Sequence, residues 1–136
     1  MISNHCGIES LLNLHLKSRS MKGLYLESAK KQFVQYKTLG DKTFEQVPDE
    51  KLFWQYNPEC NSMGSIVKHL RGNMLSRFTD FLTSDGEKQW RDREAEFQND
   101  IKTREDLLSK WNEGWQCLFD TIDPLTEEDV QKTIFI

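Results

Sequence analysis

The sequence predicts an all-α fold, a bundle of antiparallel helices, on three observations. Apolar residues recur at spacings of three and four over three long stretches, residues 24–46, 61–82 and 103–122, which is the stripe of an amphipathic helix and not the alternation of a strand. Good N-terminal capping residues, Asn61-Ser62 and Thr103, open two of them, where a side-chain oxygen accepts from free backbone N–H groups. Pro48 and Asp123-Pro124 stand where helices have to stop, because proline disfavours helical geometry in the residue before it.

The first helix is expected over residues 24–46, with Leu26, Ala29, Phe33, Tyr36, Gly40 and Phe44 as its inward stripe. A glycine inside a helix costs about 1 kcal/mol relative to alanine, so Gly40 predicts close approach of a neighbouring helix. After Pro48, Asp49 to Trp54 reads as one short turn in a long connection. Phe53, Trp54 and Tyr56 are expected to cover one end of the core, with a pocket rim as the alternative.

The central helix, residues 61–82, carries Met63, Ile66, Val67, Leu70, Met74, Phe78, Phe81 and Leu82 on its stripe, and Thr83-Ser84-Asp85-Gly86 ends it. His69 lies on the flank, sharing a more polar strip with Ser62, Asn73, Ser76 and Asp80. Residues 85–100 form a charged crossover connection anchored by Trp90 and Phe97, and Trp90-Arg91-Asp92-Arg93 is expected to be a surface ion-pair cluster.

The third helix has Leu107, Trp111, Trp115, Leu118 and Ile122 facing inward, with Leu108 and Phe119 broadening the stripe and Gly114 admitting another helix. Its Thr103 to Asp106 start is a variant of the capping box. Thr126 to Asp129 reads as a second capped start, and the final Thr133-Ile134-Phe135-Ile136 as a strand. Three such helices leave an apolar strip that a fourth helix would cover in a bundle. In its absence a homodimer is expected, since pairing of one face with itself is the commonest oligomeric arrangement.

Composition narrows the partners. At 136 residues the chain is one domain. A formal charge of −4 gives no reason to bind nucleic acid, which favours a basic face. No run approaches the length of a membrane span. Three cysteines, Cys6, Cys60 and Cys117, form no CxxC pair, so a reducing cytoplasm fits. Cys117 is expected to be a packed thiol. Residues 1–22 read as a poorly ordered extension, with Met21 as an alternative start. His5, Cys6 and His15 match no standard metal site.

Residues 24–136, above all YLESAKKQFVQYKTLGDKTFEQ, LFWQYNPECNSMGSIVKHLRGNMLSRFTDFLTSDGEKQWRDREAEF and LLSKWNEGWQCLFDTI, resemble a branch of the DinB/YfiT-like superfamily. The resemblance implies a four-helix bundle of up-down helices with a long crossover, spanning 23–136 and lacking its last helix here. It implies a divalent-metal site, nickel or zinc, built from one histidine on the second long helix and an H-x-x-x-H pair on the last. The histidine of IVKHL matches His69; the other two have no counterpart. Relatives include thiol transferases and metal-dependent hydrolases, so reaction and small-molecule substrate do not transfer with the fold. With one imidazole, tight metal binding and activity are not expected of this chain. The alternative is a non-catalytic helical module that dimerises through its open face.

Overall fold

The computed structural model describes the backbone of residues 6–134 and the side chains of residues 24–134. In order, the elements are α1 (Cys6–Gln46), the single turn α2 (Asp49–Leu52), α3 (Met63–Phe78), the single turn α4 (Arg93–Glu96), α5 (Arg104–Ile122) and a 3-10 turn (Asp129–Gln131). The described residues are thus all helix and connection, as the periodicity predicts, and the strand expected over residues 133–136 does not appear at Thr133 or Ile134. Phe135, Ile136 and residues 1–5 lie outside the described residues, as do the side chains of Cys6 and His15; from Cys6 the backbone is continuous with α1.

The caps fall where expected. Ser62 accepts from the Ser65 N–H and opens α3, and Thr103 accepts from the Asp106 N–H and opens α5. Helix α3 stops at Phe78, four residues before the expected end, because Thr79 is extended and Asp80 takes a positive φ of 52°. Phe81 and Leu82 leave the helical stripe with that turn.

Helices α3 and α5 form the central pair, and here the antiparallel expectation fails. Arg71 bonds Glu113 while Thr121 donates to the Phe78 carbonyl, so contacts advance together along both helices and the two run parallel. The connection 79–103 makes this possible by carrying the chain back along the pair. Helix α1 does run antiparallel to α5: Lys30 reaches the Asp123 carbonyl, Asp41 accepts from Trp111 Nε1 at 2.7 Å, and the Phe44 carbonyl accepts from Arg104.

Phe44, Leu52, Val67, Met74, Ile101, Leu107, Trp111, Trp115, Leu118 and Ile122 make one buried core. Complete burial of a leucine such as Leu107 contributes roughly 1.5–3 kcal/mol. The glycine expectations hold: a Cβ at Gly40 would collide with the Trp111 ring, and one at Gly114 would stand 3.0 Å from Arg71 Cα. Other expectations need correction. Tyr36 and Ile66 are exposed despite their place on a stripe, as are Trp54 and Tyr56. Of that aromatic trio only Phe53 packs against the core; the polar Asn99 side chain donates to the Phe53 carbonyl and to Gln55 there.

A candidate site around His69

His69 stands on the flank of α3 with its side chain 39% exposed. The crossover brings two further residues to it. Glu96, the last residue of α4, accepts from His69 Nδ1 at 2.9 Å. Arg91, from the same crossover, donates from Nε and Nη2 to the two oxygens of the same carboxylate, at 2.8 and 3.0 Å. An ionised carboxylate can only accept, so Nδ1 of the imidazole carries a proton, and whenever the ring holds a single proton the free lone pair is on Nε2. Phe97 stacks on the imidazole, its ring centroid 4.9 Å away, and fixes the ring plane from the other side.

The chain folds this way for local reasons. Asp92 caps α4 by accepting from the Ala95 N–H, which sets the direction of the turn that ends in Glu96. Lys68, one residue before His69, takes the Ala95 and Gln98 carbonyls and Asp100, and so binds the crossover to α3. Gly72, one turn after His69, opens the space: a Cβ there would overlap the Glu96 carboxylate.

Glu96 is buried, and the side chain of Arg91 is only 3% exposed. Burial alone would push the Glu96 carboxyl up, but the hydrogen bonds from Arg91 and His69, with the charge of Arg91, outweigh it and hold the group below its ordinary range. The same bonds raise Arg91 against its own desolvation. Glu96 is therefore a fixed anion at neutral pH, positioned by Arg91 and passing its orientation on to His69.

Two readings of the crossover are thereby corrected. Arg91 belongs to no surface cluster, although Arg93 and Glu87 do pair on the surface. Trp90 and Phe97 do not anchor the connection in the core, for both are exposed; Ile101, 1% exposed, does that instead. Cys117 is half-buried beside the Thr79 hydroxyl.

A divalent ion can be tested against these side chains. The Nδ1–Glu96 bond is the arrangement that orients metal-ligating histidines and leaves Nε2 for the metal. Among the described residues no group of three histidine, cysteine or acidic side chains is placed to share an ion. Nor is any described helix long and apolar enough to cross a membrane.

Comparison with known proteins gives one match. A family described as proteins of unknown function, DUF1572, matches residues 20–136. No curated protein and no solved structure matches the chain. The matched stretch takes in the lower part of α1, His69, the crossover with Arg91 and Glu96, and all of α5, and on it the chain belongs to the DUF1572 family.

Proposed function

We propose that the protein is a DinB/YfiT-like divalent-metal binder to which this chain contributes His69 Nε2. The observation that carries the reading is the Arg91–Glu96–His69 relay: a buried, guanidinium-clamped carboxylate accepting from Nδ1 of a partly exposed imidazole. A solvated surface histidine needs no such support. Bound nickel or zinc would act as a Lewis acid towards water or a thiol. The chain's own part is to hold the His69 tautomer, with Arg91 keeping Glu96 ionised and Phe97 restricting ring rotation.

The test separates a prepared ligand from a complete site. Titration with zinc or nickel, followed by the His69 ring nitrogens in an NMR spectrum, should perturb Nε2 and leave Nδ1 protonated. After desalting, the chain should retain less than one metal per molecule, since tight sites need three or four protein ligands. Glu96→Gln should weaken the effect of metal on His69 by about tenfold or more, the usual loss when such an outer partner is changed. A His69 ring indifferent to metal would end the reading.

A second reading, a non-catalytic module that pairs with its own copy, starts from the exposed Tyr36 and Leu39, three residues apart and so neighbours on one side of α1. Sedimentation equilibrium at micromolar concentration decides it, and a monomer would set homodimerisation aside.

A further inference from the structure

A cleft of about 240 Å³ opens on the Gly72 side of the Glu96 carboxylate, between α3, α5 and the segment 90–96. We propose that it binds a small oxyanion, phosphate or carboxylate, carried on a planar apolar group. The inference shares Glu96 with the site above but rests on nothing in the metal reading.

The charge balance of the walls favours an anion. Lys68, Arg71, Arg91 and Lys110 line the cleft against Asp92 and Glu96. The donors decide which of the four can serve a ligand. Lys68 spends its three N–H groups on two carbonyls and Asp100, and so supplies charge only. Arg71 gives Nε and Nη2 to Glu113, which leaves Nη1. Lys110 meets Asp106 at 3.2 Å and has donors to spare. Arg91 commits Nε and Nη2 to Glu96, while its Nη1 is buried with no hydrogen-bond partner among the described residues. A buried N–H without a partner is costly, and an acceptor admitted beside the Arg91 guanidinium, which lines the cleft, would remove that cost.

The acids are less well placed to compete. One Asp92 oxygen is engaged by the Ala95 N–H, and Glu96 already receives three hydrogen bonds. Glu113 and Asp106, the partners of Arg71 and Lys110, are 48% and 47% exposed, and such exposed pairs are worth little. A ligand oxyanion can therefore replace Asp106 at Lys110, and it can join Arg71 at Nη1 while the bidentate bonds to Glu113 stay in place.

The apolar part of the ligand follows from the rest of the lining. Trp90, 59% exposed, and Leu75 complete the cleft. An exposed indole beside guanidinium groups offers a flat face to a ring, with the cations disposed towards its anionic substituent. The volume limits the ligand to a single ring with its head group, and the net charge of −4 disfavours a large polyanion.

Phenyl phosphate, benzoate and inorganic phosphate are the probes, added to the full chain at up to about 10 mM, a range that reports millimolar affinities, while the Trp90 indole N–H and the Gly72 amide are followed by NMR. Phenyl phosphate or benzoate should shift both signals, and the tighter of the two identifies the head group. Arg71→Gln with Lys110→Gln, both at partly exposed positions, should weaken binding by about tenfold and leave the rest of the spectrum in place. Trp90→Ala should weaken phenyl phosphate more than inorganic phosphate, read at Gly72. Absence of any shift would overturn the proposal, as would an affinity unchanged by removing the two cations.

Discussion

The Glu96 carboxylate lies in the space that a side chain on residue 72 would occupy. Gly72 and Glu96 are thus two halves of one feature, one supplying room on α3 and the other filling it from the crossover. Gly72→Ala should cost about 1–3 kcal/mol, the usual penalty for inserting a methyl group into a filled site. It should also displace the acceptor of His69 Nδ1. Urea denaturation and the ring nitrogen shifts of His69 check the two effects together; a stable variant with an unchanged His69 tautomer would show that Glu96 has another way in.

Arg91 and Glu96 form an ion pair largely out of water. Replacing only Arg91 by methionine should destabilise the fold by about 3–5 kcal/mol, because the carboxylate stays buried without its partner. Adding Glu96→Leu should recover most of that loss, since a buried pair is often replaceable by apolar groups of similar volume. Equilibrium unfolding of the single and double variants measures the coupling, and simple additivity would count against the pair.

Exposure divides the stripe residues sharply. Leu107→Ala should cost about 2–5 kcal/mol, since Leu107 is completely buried between the helices. Ile66→Ala should change stability by no more than about 0.5 kcal/mol, because that side chain is 46% exposed. Chemical denaturation of both variants provides the contrast. A large loss at Ile66 would mean that this face is covered in solution.

Acid should loosen the turn at Asp129 late. Its carboxylate accepts from Lys132 Nζ and from the N–H and hydroxyl of Thr126, and these contacts lower its pKa from 3.8 to about 2. A depressed pKa means that the bonds stabilise the turn fully above 3.8 and are lost as the pH falls through about 2, because only then does the folded state take up the proton. The Thr126 amide shift, titrated downward from neutral pH, should therefore have its midpoint near 2. A midpoint at the ordinary aspartate value would show the carboxylate to be free.

Local signals were legible in the sequence and long-range ones were not. Ser62 and Thr103 announce their helices because capping is a matter of three residues, and Gly40 and Gly114 announce close packing because a glycine inside a helix demands a reason. The parallel course of α3 and α5 could not be read from periodicity, which gives a helix its face and no direction relative to its neighbours. His69 stood out by its resemblance to a ligand position, yet Arg91 and Glu96 did not, since each sits among charged residues that look alike in sequence. One signal was present: His69, Gly72 and Ser76 share a face, and two small residues beside a histidine mark a surface on which another segment can lie. Ser76 is in fact buried there, donating to the Gly86 carbonyl.

The contact between Arg104 and the end of α1 bears on how the last turn of that helix is held. Pro48 stops the helix from its own sequence, but the last turn of α1 holds no basic residue and no glycine follows it, so its final carbonyls lack the usual local partners. Arg104 supplies them from the first turn of α5, donating to the Phe44 and Val47 carbonyls and to Asp49 at once. These donors come from 57 residues downstream of Val47. A nascent chain emerging up to Asn99 would leave those carbonyls to water until the start of α5 arrived to dock against them.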